Sequence, residues 1–447
     1  MDFLRELAEI WPYLAVAITL AMAAIASGHA ILHKRDARTA VLWVGFIWFA
    51  PVVGPVLYVL FGINRIQRHA VSLWRGHEFV QSGTGFQSSS TRRLSDHLTN
   101  EGEHLTDLSK LVNSVTKRPL IGGNRLVPFT NGDRAIPEML RTIDDAKRTI
   151  NLITYIFDRD IAGKRFVDRL AAAVKRGVEV RVLVDDTGAR YSFPGIVGLL
   201  RRSGVPTERF LPTLNPWQMM GINLRNHRKI LVVDGVVGFT GGMNIRAGNL
   251  LKESPKRPIQ DIHFRVEGPV VGQMQEAFAD DWQFTTREII SGEAQFPRLK
   301  PSGNIFARAI SDGPDGEHRK LRWIFIGALN AARRRVRIVT PYFLPDEALV
   351  LALTQAARRG VEVDIVLPGQ NNLPFVQWAS AAGLWQVLMH NVRVWHTPPP
   401  FDHTKLMVVD GTWTLIGSTN WDPRSLRLNF EFNIECYDSN FASQIEE

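Results

Sequence analysis

Cysteine is all but absent from this chain. The single copy, Cys436, excludes an intrachain disulfide and a cysteine-built metal site. Charge is absent in two places: residues 11 to 32 and residues 40 to 63 contain no Lys, Arg, Asp or Glu. Each run exceeds the roughly 20 residues that cross a bilayer core as a helix. Ahead of the first run, Asp2, Glu6 and Glu9 against Arg5 are the wrong charge for a cleaved signal peptide, and a second run follows at once. The expectation is a two-span transmembrane hairpin, with the N-terminus and the bulk of the chain on one side of the bilayer. Pro51 and Pro55 imply a kink or break in the second span. The loop at 33–38 and the segment carrying Arg65, Arg68 and Arg75 are both basic, so the positive-inside rule does not choose a face. Trp11, Trp43, Trp48 and Tyr58 are either interfacial anchors or lipid-facing bulk.

The 447 residues carry a net charge of +9, which points to an anionic partner, nucleic acid or an acidic lipid surface. The two spans, and the lack of an Arg/aromatic track for a strand, argue against nucleic acid.

What the chain does have is a duplicated motif. His227-Arg-Lys229-Ile-Leu-Val-Val-Asp234 comes back as His403-Thr-Lys405-Leu-Met-Val-Val-Asp410, an H-x-K-x-x-x-x-D pattern in both copies. A glycine turn ending in Asn follows each, Gly241 to Asn244 and Gly417 to Asn420. In an extended chain His and Lys at i and i+2 share a face. The apolar run behind them suits a strand buried on both sides. Two Lys and two Asn, converged, supply positive charge and donors for a phosphoryl group. Two imidazoles, each with an ordinary pKa near ~6.5, can split the remaining work. One attacks phosphorus, the other protonates the leaving alkoxide. On the residues alone the two histidines are interchangeable. Outside the motifs no paired metal-ligand spacing such as H-E-x-x-H occurs. No metal and no cofactor are expected, since the lysines supply the charge a divalent ion would bring.

The repeat is wider than the motif. The strand Arg148–Phe157, the helix Gly163–Arg176 closed by Gly177, and the strand Val178–Val184 form a β-α-β unit. Arg335–Phe343, a helix ending at Gly360, and Val361–Leu367 repeat it. Lys175-Arg-Gly-Val-Glu-Val180 against Arg358-Arg-Gly-Val-Glu-Val363 sets the register. A site shared between halves at a pseudo-twofold interface follows. Gln81–Ser90 reads as flexible, and residues 94–116 as a short polar helix. The aromatic stretches Phe210–Met220 and Trp395–Phe401 either line an acyl-chain entrance or pack as ordinary loops.

The duplicated motif, its context Asn223-Leu-Arg-Asn-His227, the Gly-Gly-Met-Asn turn and Gly417-Ser-Thr-Asn-Trp-Asp-Pro-Arg-Ser425 resemble the phospholipase D superfamily, and within it the bacterial cardiolipin synthases, over nearly the whole chain. The resemblance implies an α/β fold of two tandem phospholipase D-like α-β-α sandwich domains behind the hairpin. The expected segments are 1–63 hairpin, 64–118 polar linker, 119–300 first domain and 301–447 second domain. The resemblance makes His227 the nucleophile and His403 the general acid. It counts Asp234 and Asp410 in the catalytic signature with Lys229 and Lys405, although across a strand they suit turns better than substrate. Asn244 and Asn420 are expected on phosphate, and Ser418 either there or as a turn residue. An acid in the strand after each motif, Asp261 and Glu431, is expected to orient an imidazole. The implied reaction is phosphatidyl transfer between two phosphatidylglycerol molecules, giving cardiolipin and glycerol at a bacterial inner membrane. A phosphodiester hydrolase, phospholipase or nuclease, could use the same residues with water. A non-enzymatic scaffold would have no use for two intact motifs. The chain stops nine residues after Asp438, short of the further helix such relatives carry.

Overall fold

The computed structural model describes residues 2–34, 37–62, 91–98, 102–212, 224–313 and 320–447. The Gln81–Ser90 linker, the basic positions 65–75 and the stretch through Trp217 lie outside these. The chain divides into two compact units, Met1–Ser72 and Leu73–Glu447.

In the first unit Asp2–His33 is one helix, and its Ile10–His33 portion is long and apolar enough to cross a membrane. The second apolar run is not one unbroken helix. Ala37–Phe49 is helical for 13 residues, breaks before Pro51, and resumes as Val53–Leu57 and a π-helical turn at Tyr58–Gly62. Proline, lacking an N–H, accounts for the break. Thirteen helical residues span about 20 Å against a core of about 30 Å. Tyr58 is no interfacial anchor: it is buried, and its hydroxyl meets His29 Nδ1 at 2.8 Å.

The second unit is built on one sheet of fourteen strands. Its first half contributes β1 (Ile121–Thr130), β2 (Thr149–Thr154), β3 (Glu179–Asp185), β4 (Thr207–Phe210), β5 (Ile230–Val233), β6 (Val237–Gly241), β7 (Ile259–Gln260) and β8 (Ile262–Glu267). Its second contributes β9 (Ile305–Asp312), β10 (Arg335–Val339), β11 (Glu362–Pro368), β12 (Arg393–Thr397), β13 (Phe401–Asp402), β14 (Leu406–Val409), β15 (Trp413–Gly417) and β16 (Glu431–Tyr437). The order across the sheet is β12-β11-β10-β14-β15-β16-β9-β1-β8-β6-β5-β2-β3-β4, and β7 and β13 pair separately. Read from either edge the two halves are equivalent. They meet at the antiparallel β1–β9 seam, where Ile121 faces Ala307.

Both expected β-α-β units are present, with β2–β3 and β10–β11 parallel. Every residue of β2, β5 and β15 is buried, as runs of Val, Ile and Leu covered on both faces must be. Leu231 and Val233 of β5 join a core with Phe166 and Leu170 of the helix Ile161–Lys175. Helix Val270–Thr286 crosses β2, β4 and β5 as well. Asp160 caps the first of these helices by accepting from Gly163 N at 3.0 Å. Residues 94–116 do not form one polar helix. They make two, Thr91–His97 and Thr106–Thr116, whose Leu94, Leu108 and Val112 are buried against Ile324 and Phe325 of the second half. Phe210 is likewise core, packed edge-on to Phe430.

The motif aspartates are the turn residues of two hairpins. Asp234-Gly235 and Asp410-Gly411 join β5 to β6 and β14 to β15 with positive φ at both positions, the type I′ geometry. Asp234 accepts from the backbone N–H groups of Lys147, Arg148 and Thr149, and Asp410 from those of Arg333, Arg334 and Arg335. Asp410 also accepts from His104 Nε2 at 2.7 Å. Each carboxylate therefore pins the start of its half's first parallel strand. Asp410 is fully buried, whereas water can reach the groups around Asp234. Asp410→Ala should cost about 2–4 kcal/mol and Asp234→Ala about 1–2. Urea denaturation of the two variants checks the order; equal losses would contradict it.

Candidate active site

Each motif histidine is anchored to the opposite half. Asn226 bridges Phe430, and His227 N donates to Phe430 O at 2.9 Å. In the second half β13 pairs in parallel with β7, and His403 N donates to Gln260 O at 2.8 Å. The residue following each anchor point is an acid, and it reaches the imidazole it has just met. His227 Nδ1 lies 3.0 Å from Glu431 Oε2, and His403 Nδ1 lies 2.9 Å from Asp261 Oδ2. The acids are thus exchanged: each orients an imidazole, as expected, but neither serves the motif that precedes it in sequence.

Both imidazoles line one cleft of about 550 Å³, together with Asn244, Asn420, Asp261, Tyr155, Tyr342, Arg225 and Arg246. With Nδ1 committed to a carboxylate, Nε2 is the nitrogen each ring offers. Asn244 Oδ1 accepts from Ile156 N at 3.1 Å, which orients the amide and leaves its NH2 as donor. Asn420 Oδ1 is buried without a hydrogen-bond partner among the described residues. Lys229 and Lys405 lie beneath the lining. Lys229 Nζ donates to His227 O at 2.6 Å, and Lys405 Nζ to His403 O. Lys229 also sits 5.6 Å from the centre of the Tyr155 ring.

The candidates Asp234, Asp410 and Ser418 do not line the cleft. Asp234 and Asp410, counted with the catalytic set, are at the far ends of β5 and β14 and hold turns. The chain crosses the sheet between His and Asp, so one residue cannot serve both ends. Ser418, expected either on phosphate or as a turn residue, is fully buried; its hydroxyl donates to Glu431 Oε2 and accepts from Phe432 N at 3.0 Å.

Several contributors have no mark in the motif itself. Arg228 Nη1 donates to buried Asp281 Oδ1 at 2.7 Å, and Asn226 Nδ2 to Oδ2 at 2.8 Å. Arg228 also donates to the carbonyls of Glu431 and Asp312, tying the first motif to the second half. Thr404 stands at the matching place, so comparing the two motifs could have singled Arg228 out. Tyr155 and Tyr342 end matched strands, a signal visible in the repeat.

Burial dominates the electrostatics. It pulls Lys229 down to about 7 and Lys405 down to about 8, against the upward effects of Glu431 and Asp261. It lowers His227 below its ordinary value despite Glu431, and lowers His403 well below with Lys405 and Lys229 adding repulsion. The carboxyls diverge. Burial pushes Asp261 up to about 8, opposed by Lys405. Burial also pushes on Glu431, but His227, Lys229 and Ser418 together hold it below the usual value. Around neutrality the Glu431–His227 pair thus has an ionised acid, and the Asp261–His403 pair keeps one proton more.

A bell-shaped kcat/KM is expected, its acid limb below pH ~6.5 from His227 and its alkaline limb between about 7 and about 8 as Lys229, then Lys405 and Asp261, lose their protons. Asp261→Asn should lower kcat about 10²–10⁴-fold. Because Asp261 is raised in the folded state, its stabilising contribution is full at acid pH and fades as pH rises through about 8. The variant should therefore gain Tm relative to the parent between acid pH and pH ~8. A constant Tm difference would contradict this protonation pattern.

Comparison with known proteins places the family and the fold. The family described as cardiolipin synthase, PLD-like domain, matches residues 139–282 and 325–447, one segment in each half. A phospholipase D-nuclease N-terminal family matches residues 21–62. Cardiolipin synthase A of Pseudomonas putida is 31% identical over 425 residues, 94% of this chain and 88% of that protein. Cardiolipin synthase of Oceanobacillus iheyensis is 32% identical over 426 residues, 95% of this chain and 88% of that one. The crystal structure of phosphatidylserine synthase from Haemophilus influenzae superposes with a TM-score of 0.59 at 16% identity, covering 76% of this chain and 89% of that one, and shares the fold. The chain belongs to the cardiolipin synthase family of phospholipase D-like proteins.

Proposed function

We propose that this membrane protein is a phosphatidyltransferase that makes cardiolipin and glycerol from two molecules of phosphatidylglycerol. His227 Nε2 attacks phosphorus, the bond to the glycerol headgroup oxygen breaks, and His403 gives that oxygen its proton. The phosphatidyl group rests on His227. The glycerol hydroxyl of a second phosphatidylglycerol then attacks phosphorus, His403 takes its proton, and His227 leaves. One phosphodiester replaces another, so no nucleotide is consumed. Lys229, Lys405, Asn244 and Asn420 stabilise the negative charge on the non-bridging oxygens.

The observation that carries this reading is the exchange of carboxylates, which commits both Nδ1 atoms and turns both Nε2 atoms to one cleft. The unequal acids support the division of roles. An ionised Glu431 accepts Nδ1–H of His227 and leaves an Nε2 lone pair, the form a nucleophile needs. The Asp261–His403 pair, holding one more proton, presents Nε2–H, the form an acid needs. An incoming phosphodiester anion raises the pKa of His403 and both lysines, restoring charge where the reaction uses it.

The reading takes 1–63 as the multi-pass anchor in a bacterial inner membrane, 64–118 as the linker and residue 300 as the boundary between repeats. Held near the bilayer, the cleft meets phosphatidylglycerol at high effective concentration.

Purified protein given phosphatidylglycerol should release glycerol and form cardiolipin, and a radiolabelled phosphohistidine should map to His227. His227→Ala should lose about 10⁴-fold or more in kcat. Phosphatidic acid as main product would identify a hydrolase instead.

A further inference from the structure

The internal repeat supplies its own comparison for the connection after the second parallel strand of each half. In the first half, between β3 and β4, the helix Ile196–Arg202 buries Ile196, Val197 and Leu200 and ends in Arg201 and Arg202. In the second half, between β11 and β12, the helix Pro374–Gly383 buries nothing, and Trp385–Leu388 continues it. No Lys, Arg, Asp or Glu occurs between Asp364 and Arg393. Phe375, Trp378, Trp385 and Met389 stand 59–79% exposed. Phe375 and Trp378, three apart, share a face of the first helix, and Trp385 and Met389, four apart, share a face of the turns that follow Leu384. The Phe375 and Trp378 rings touch edge to face, 5.3 Å apart. An ordered, charge-free aromatic stripe facing outward is an interaction surface.

Two observations choose its occupant. The stripe runs into the mouth of the catalytic cleft, because Leu373 and Val376, at the start of the same helix, line that cleft. A second copy of the chain seated on it would roof the entrance that a substrate with two acyl chains must use. A bilayer would not, since it is the source of that substrate. The composition agrees: Trp and Phe with Gln and Ser between them suit the headgroup boundary, where an aromatic ring has one wet and one apolar side. We infer that the helix segment 374–389 is a second membrane contact, a shallow interfacial helix that lays the cleft mouth on the lipid surface independently of the N-terminal helix. The choice of a bilayer rests on the phosphatidyltransferase reading; the exposed stripe does not.

The test uses the full chain in vesicles of phosphatidylglycerol and phosphatidylcholine. Cys436 is buried, so Trp378→Cys can be labelled alone with a polarity-sensitive dye. Arg202→Cys, on the matching helix of the first half, is the control. The label at 378 should emit blue-shifted and be quenched by acyl-chain nitroxide lipids several-fold more than the label at 202. Equal quenching of both by aqueous iodide overturns the inference. So does a label at 378 that nitroxide lipids leave unquenched and that cross-links to a second copy. As an independent readout, the double variant Phe375→Asp/Trp378→Asp should raise KM for vesicle-borne phosphatidylglycerol about 10²-fold or more, the loss expected when two aromatics no longer leave water. Its rate on a short-chain, monomeric phosphatidylglycerol should be unchanged. Equal loss on both substrates places the stripe in the reaction rather than on the bilayer, and overturns the inference. The label requires no turnover, so its failure leaves the transferase reading standing, and an inactive protein can still pass it.

Discussion

The hydrogen bond between each motif histidine and a carboxylate from the opposite half is the constraint on which the rest of the second unit depends. His227 to Glu431 and His403 to Asp261 are satisfied only if the halves are in register to within a few tenths of an ångström. The backbone pairings at Phe430 and Gln260 bring each acid to its ring, and the β1–β9 seam sets the distance between halves. A continuous sheet of fourteen strands is a stiff frame for this purpose, because a slip at the seam would be carried to both imidazoles at once.

Burial is the second requirement. A lysine at a cleft surface keeps its proton cheaply and does little for a phosphoryl group. Lys229 and Lys405 are held out of water, with their charge opposed by desolvation and supported by Glu431 and Asp261. Such a site is unstable as a set of charges until an anion arrives, and its attraction for that anion is strong for the same reason. The Arg228–Asp281 pair, buried beside the first motif, is already balanced and does not take part in this exchange.

Much of this was legible in the residues and some of it was not. Val and Ile runs with matched Gly-Val-Glu-Val registers revealed the parallel strands, the duplication and the two His/Lys pairs, because buried strands have a composition that owes nothing to the rest of the chain. The Asp-Gly pairs after each motif were visible as hairpin turns, yet motif counting placed them with the chemistry. Ownership of the acids was not legible: Asp261 and Glu431 are each nearest in sequence to the wrong histidine, and only the crossing of the halves reassigns them. The role of Ser418 is not legible for the same reason, since its partner Glu431 is invisible without the sheet. The second apolar run is long enough to be a span, and its helix is interrupted at Pro51. Residues 94–116 look polar because their apolar positions are few, and Leu94, Leu98, Leu105, Leu108 and Val112 are buried in the core of the second half.

The exchanged acids also carry a statement about origin. If the two halves were separate and identical chains, each would lend its acid to the other's histidine, and the pair would close on itself about a twofold axis. A lone ancestral repeat would have had an imidazole with no carboxylate. Gene fusion therefore added no new contact to the centre. It gave each copy freedom to diverge, which is how one side could acquire Arg228 and the other an outward aromatic helix while the reacting core kept its symmetry.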